Sequence, residues 1–144
     1  MNIDFIILAA GKGTRMGGDS PKVLASLAGK PMIQHLIDTV DSFPSSKTSI
    51  VVGYKSNEVE RDLVSQKKLR FVKQKNQLGT AHAVKQALPN IRNNSVAVIL
   101  YGDVPLVKKN TLNRLIKLAS KGKLSLLTFI KEDPAGYGLS LIHI

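Results

Sequence analysis

Apolar residues follow two rhythms along this chain of 144 residues. Continuous apolar runs at 3–8 (IDFIIL), 49–53 (SIVVG), 69–72 (LRFV), 95–101 (SVAVILY) and 124–130 (LSLLTFI) are short and rich in branched side chains, which predicts strands buried on both faces. Between them the spacing turns helical. Pro31 is placed in a first helical turn, and Met32, Ile33, Leu36, Ile37 and Val40 then share one face until Asp41-Ser42-Phe43-Pro44 ends the helix. Asn57 and Glu60 stand at capping-box spacing before an apolar Val59, Leu63, Val64 face. Gly79-Thr80 opens AHAVKQAL, with Thr80 as N-cap and Pro89 as the stop, and Thr111 caps a helix carrying Leu112, Leu115, Ile116 and Ala119. Five strands separated by helices predict an α/β fold: an open, mostly parallel, doubly wound sheet with helices on both faces.

Composition narrows the classes. The chain is one domain long, and 43% apolar residues suffice for a core. No run reaches the roughly 18 apolar residues of a membrane span, and Asp4 interrupts the only N-terminal apolar run, so no secretory signal is expected. Zero cysteines leave no disulfide framework and no thiolate chemistry, and a cytoplasmic protein without a membrane partner is expected. A formal charge of +11 implies a polyanionic ligand, which nucleotide, nucleic acid and phosphosugar all satisfy.

The first strand runs into LAAGKGTRMGGDSPKVL, residues 8–24. Gly11, Gly13, Gly17 and Gly18 allow sharp turns and close approach, while Lys12, Arg15 and Lys22 stand among them, so exposed amides and cations form a candidate phosphate cradle. Open parallel sheets bind ligands beyond the carboxyl ends of their strands, which brings Gly102-Asp103 to the same crevice. A carboxylate beside phosphate repels it unless a hard cation such as Mg²⁺ lies between. The glycine spacing is G-x-G-x-x-x-G, which is not the dinucleotide fingerprint, and no G-x-x-x-x-G-K-[ST] is present.

The same stretch resembles the signature of the sugar-1-phosphate nucleotidylyltransferases. QKNQLGTAHAV at 74–84, YGDVPL at 101–106 and DPAGYG at 133–138 resemble, in order and spacing, the uridylyltransferase branch that acts on N-acetylglucosamine 1-phosphate. The resemblance implies a Rossmann-like nucleotidyltransferase fold and transfer of UMP from UTP to N-acetylglucosamine 1-phosphate, giving pyrophosphate and the UDP-sugar used for cell-wall and lipopolysaccharide synthesis. It implies that Leu8, Ala9, Ala10 and Gly11 line the nucleotide and that Arg15 and Lys22 grip the triphosphate. Gln74, Gly79 and Thr80 would read the uracil edge, Tyr101 and Gly102 would wall the nucleotide, Asp103 would bind Mg²⁺ and the Gly138 backbone would touch the sugar.

Departures set further expectations. The family continues past DPxGYG with an arginine, whereas this chain reads LSLIHI, so 1–138 is expected to be the N-terminal part of the domain and 139–144 a non-native tail. The activity is then expected to be incomplete, and oligomer formation is left to a full-length protein. Without the resemblance the glycine stretch could be a plain strand-to-helix turn, Asp103 a turn cap before Pro105 and Gln74 a surface residue. His35 and His82 lack metal-ligand spacing and read as solvated or packed. Lys67, Lys68, Arg70, Lys73 and Lys75 read as a solvated edge; they also support the rival reading of a nucleic-acid-binding module. Only 5% aromatic residues and no recognised nucleic-acid motif weigh against nucleic acid as a partner. A related cytidylyl- or guanylyltransferase is the third reading.

Overall fold

The computed structural model describes residues 1–12, 20–63, 69–130, 132, 133 and 135. Strands β1 (Asn2–Ala9), β4 (Ser46–Val52), β5 (Leu69–Lys73) and β6 (Ser95–Tyr101) form a sheet in the order β5-β4-β1-β6. Every pair is parallel, with Ile7 beside Ile50 and Leu100. A short antiparallel ladder, β2 (Ser26–Leu27) with β3 (Lys30–Pro31), precedes the first helix. The chain leaves β1 toward β4 and β5, then returns to the other side of β1 to lay down β6. That reversal opens a crevice at the carboxyl ends of β1 and β6, where open parallel sheets take ligands.

The period of two along β1 sorts its side chains into two cores. Ile3, Phe5, Ile7 and Ala9 face α1 (Met32–Asp41), α2 (Ser56–Leu63) and α4 (Lys109–Ala119), which contribute Ile33, Leu36, Ile37, Val40, Val59, Leu63, Leu112 and Ile116. Ile6 and Val51 face the other way, onto Ala83 and Ala87 of α3 (Thr80–Ala87). Both faces therefore carry helices, as the alternation predicts. Small residues on α3 let that helix lie close to the sheet.

Four of the five predicted strands form; the run 124–130 does not. Leu124, Leu127, Phe129 and Ile130 are exposed there. A run apolar on both faces becomes a strand only with a bonded neighbour and a cover on each side. Among the described residues the sheet stops at β6, whose Ile99 and Tyr101 are themselves exposed on the α3 side.

Local chemistry moves several helix starts. Pro31, with ψ of 140°, is extended and stands just before α1 as its N-cap instead of inside its first turn. Asn57 lies inside α2, which begins at Ser56, and Glu60 approaches Lys73 at 3.5 Å instead of closing a capping box. The cap of α3 is Gly79 at φ of 96°, a left-handed position suited to glycine, and Thr80 is the first helical residue. Helix α4 begins at Lys109 with Thr111 already in its first turn and no side-chain cap.

Candidate active site

A cleft of about 440 Å³ lies at the predicted crevice, lined by Leu8, Ala9, Ala10 and Gly11 from β1 and its exit, Lys22 and Val23, and Tyr101 and Asp103. Gln74, Gln77, Gly79, Thr80 and Ala83 close its other wall. Its volume suits a small-molecule ligand. Main-chain pairing carries β1 straight into this wall, because β4 and β6 hold it on both sides up to Ala9 and Leu8. Gly102 N–H then donates to the Leu8 carbonyl at 2.9 Å, which turns the chain after β6 toward the cleft.

Gly102 is needed for close approach. A Cβ built there would lie 3.0 Å from both the Leu8 carbonyl oxygen and Val23 Cγ1. Val23 is the buried residue of a single 3₁₀ turn, Lys22–Leu24, which therefore seats directly on the end of β6. That seating brings two residues 81 positions apart into contact, with Lys22 Nζ 2.7 Å from Asp103 Oδ2. Replacing Gly102 by alanine is expected to push the turn off β6 and to destabilise the chain by about 1–3 kcal/mol, read by urea unfolding. An unchanged unfolding midpoint would show that the turn is not held there.

On the far wall Gln74 is only 4% exposed although it follows a strand that exposes Arg70 and Lys73. Its backbone N–H donates to the Val52 carbonyl at 2.8 Å, extending the β4–β5 pairing by one residue. Its side-chain Nε2 donates to the Gly79 carbonyl at 3.2 Å and lies 2.9 Å from His82 Nδ1. Burial of an amide without such partners would cost a large part of a domain's net stability. The position is thus held by its polar contacts.

Of the residues expected at the site, Leu8, Ala9, Ala10, Gly11, Lys22, Gln74, Gly79, Thr80, Tyr101 and Asp103 line one cleft. Gly102 sits buried behind it as the hinge of the wall. Arg15 and Gly138 lie outside the described residues. Lys12 is exposed, with Nζ 6.0 Å from the centre of the Tyr54 ring. Val23, Gln77 and Ala83 line the cleft without having been singled out from the sequence. Gln77 and Ala83 sit inside the motif that begins at Gln74, and the only signal for Val23 was its place beside Lys22. Among the described residues no three His, Cys, Asp or Glu side chains gather as a metal cage. No described helix is long and apolar enough to cross a membrane.

A family model described as the MobA-like NTP transferase domain matches residues 5–138, nearly all of the chain and every wall of the cleft. The chain belongs to that family. As an NTP transferase domain it is 48% identical over 138 residues to the bifunctional protein GlmU of Nitrosomonas eutropha, covering 96% of this chain and 30% of that protein. It is 47% identical over 137 residues to the GlmU of Ruthia magnifica, again covering 30% of the relative. The chain thus spans a little under a third of the length of these curated relatives. Its fold is shared by Rv0371C of Mycobacterium tuberculosis, solved in complex with manganese, at a TM-score of 0.68 and 20% identity over 84% of this chain and 61% of that one. The resemblance read from the four motifs is borne out by the GlmU matches, and the doubly wound sheet by the fold of the NTP transferases.

Proposed function

We propose that the nucleotidyltransferase domain of which this chain is part transfers UMP from UTP to N-acetylglucosamine 1-phosphate, releasing pyrophosphate, that residues 1–144 perform this transfer incompletely, and that the cleft at the ends of β1 and β6 holds the UTP. The observation that carries this reading is the convergence in that cleft of a main-chain wall from Leu8 to Gly11, a lysine, a carboxylate and a buried amide. The stretches 74–84, 101–106 and 133–138, which resemble those of the N-acetylglucosamine-1-phosphate uridylyltransferases, support the sugar-phosphate substrate. In the proposed reaction an oxygen of the sugar phosphate attacks the α-phosphorus in line, and the bond from that phosphorus to the pyrophosphate oxygen breaks. No covalent intermediate on the chain is needed, so acceleration comes from positioning and charge. Lys22, with Arg15 beside it in sequence, offsets the charge that builds on the phosphates. Gln74, Gly79 and Thr80 hold the base, Tyr101 and Gly102 bound the nucleoside, and the Gly138 backbone meets the amino sugar.

Asp103 supplies one hard oxygen at the phosphate end of the cleft, which fits magnesium, an ion that keeps several waters and takes its other ligands from phosphate. Bound there, it would neutralise phosphate charge. In its absence Lys22 already balances the carboxylate. We further propose that 1–138 forms part of a larger cytoplasmic enzyme, and that 139–144 is a non-native tail.

Thermal shift tests the reading. UTP with Mg²⁺ at about a hundred times its Kd is expected to stabilise the chain by about 2.7 kcal/mol. CTP, GTP and RNA should give smaller shifts. Equal stabilisation by every nucleotide would favour a related cytidylyl- or guanylyltransferase, and a shift with RNA alone would favour the nucleic-acid-binding reading.

A further inference from the structure

The far wall of the cleft contains an arrangement of amides and imidazole that the nucleotide contacts do not require. Gln74 spends both amide protons inside the protein, one on the Gly79 carbonyl oxygen at 3.2 Å and one toward His82 Nδ1 at 2.9 Å. A carbonyl oxygen only accepts, so the Gly79 contact fixes which end of the amide is nitrogen. His82 Nδ1 must therefore be the acceptor, and the ring carries its proton on Nε2. A second amide, Gln86 Nε2, stands 3.2 Å from His82 Nε2 and 3.4 Å from the His82 carbonyl oxygen. A neutral imidazole has one acceptor nitrogen, so two amide nitrogens cannot both donate to it. Gln74 is tied by Gly79 and buried, whereas Gln86 lies on the partly exposed side of α3. Gln86 is held only by its longer 3.4 Å contact with the His82 carbonyl, and it is the amide that gives up that contact to turn its oxygen toward the Nε2 proton.

With both protons committed, the only hydrogen-bonding capacity Gln74 has left for the cleft it lines is the acceptor Oε1. We infer that His82 is a positioning residue for base selection: by accepting from Gln74 it locks that amide with its oxygen toward the cleft, so the site favours a base edge that presents a ring N–H. Uracil presents N3–H at that edge, while cytosine presents a bare N3 lone pair. The wrong base meets oxygen against lone pair, and a buried polar site rejects a ligand that leaves its groups unpaired far more strongly than an apolar pocket does. The inference rests on the uridine nucleotide reading and extends it to a residue that need not touch the nucleotide. His82 is then neither solvated nor merely packed.

The lock predicts a contrast between two substitutions. Asparagine places its Oδ1 close to where the imidazole Nδ1 was, so His82→Asn preserves the acceptor. His82→Leu fills similar space and removes it, which leaves one Gln74 proton unpaired and the longer Gly79 bond as the remaining hold on the amide, so its nitrogen turns to the cleft more often. Calorimetric titration of the 144-residue chain with UTP and with CTP, both with Mg²⁺, reads the outcome. The preference for UTP is expected to fall about tenfold in His82→Leu and to persist in His82→Asn, with both variants folded by circular dichroism. Nitrogen-15 NMR of the wild-type imidazole above neutral pH should show the proton on Nε2 and an unprotonated Nδ1 without any nucleotide present.

A preference retained in His82→Leu, or lost equally in both variants, would overturn the assignment while leaving the uridine reading intact. A protonated Nδ1 in the NMR spectrum would overturn it directly. A wild-type chain that binds neither nucleotide would bring down the uridine reading together with base selection, although the spectrum would still report whether Gln74 is held.

Discussion

Replacing Arg92 by methionine is expected to cost the fold about 3–5 kcal/mol, the loss seen when one partner of a buried ion pair is removed. Asp4 is 2% exposed near the start of β1, and its carboxylate accepts from Arg92 Nε at 2.9 Å and from the Arg92 backbone N–H at 2.9 Å. The same guanidinium reaches Asn2 Oδ1, the Ile3 carbonyl and the Ser45 carbonyl. One side chain therefore joins the beginnings of β1 and β4 to the turn that leads into β6. These contacts sit at the amino ends of the strands, opposite the cleft. Stability measured by urea unfolding should fall while the affinity for nucleotide under native conditions stays unchanged. The double variant with Asp4→Leu should be less damaged than Arg92→Met alone, because no carboxylate then stays buried without a counter-charge. Simple addition of the two losses would show that the pair is not coupled.

The acid dependence of this loss has a definite sign. Burial pushes the Asp4 carboxyl up, but hydrogen bonds from Arg92 and Ser95 outweigh it and hold the group below its ordinary value of 3.8. A carboxylate whose folded value is depressed contributes stability above its unfolded value and loses that contribution as the pH falls through the folded one. Without the guanidinium only the backbone N–H at position 92 and the Ser95 hydrogen bond remain against burial, so the carboxyl is depressed less and the stability it carries above the carboxylate range shrinks. The gap between wild type and Arg92→Met should accordingly be widest near neutral pH and narrow in acid. A gap that is constant with pH would mean that Asp4 is not the group left unpaired.

The fold was legible because period and run length are local properties. Ile3, Phe5 and Ile7 against Ile6 announce a strand buried on both sides, and Met32 to Val40 a one-faced helix, without reference to anything distant. The run 124–130 shows where that ends, since its own pattern is strand-like but pairing is decided by a neighbour it does not have among the described residues. Helix starts were misjudged for a related reason: at Gly79 the backbone takes the cap in a left-handed conformation, and Thr80 reads as a cap only if side-chain chemistry alone is considered. At the site, the motifs marked Lys22, Gln74 and Asp103. Spacing could not reveal that Gln74 is buried or that His82 holds it, because a polar run beside lysines looks solvated until the Val52 and Gly79 carbonyls are in place to receive it.

Alanine at Asp103 is expected to remove most of the response of nucleotide binding to magnesium. Lys22 and Asp103 are each about a third exposed, with side-chain exposures of 35% and 37%, so their 2.7 Å pair is worth at most about 1 kcal/mol to the fold. Neither Lys22→Ala nor Asp103→Ala should shift thermal unfolding by more than a few degrees. Their weight falls on the ligand. In the chain without ligand the carboxylate occupies the lysine and repels any phosphate that would take its place. A divalent cation at Asp103 would remove both obstacles together, releasing Lys22 to the phosphates and turning repulsion into a bridge. Wild type should thus bind UTP much more tightly with Mg²⁺ than without. In Asp103→Ala the lysine is already free: binding without metal should be tighter than in wild type, and adding Mg²⁺ should gain little. Lys22→Ala should weaken UTP binding with metal by about tenfold to a hundredfold, the worth of a charge-assisted contact to phosphate. Because the two side chains act on one assembly of phosphate and cation, the double variant should lose less than the two single losses combined. Calorimetric titration with and without the metal separates these cases. An Asp103→Ala chain that still gains affinity from Mg²⁺ as wild type does would remove the carboxylate from the site, and with it the reason for Lys22 and Asp103 to meet.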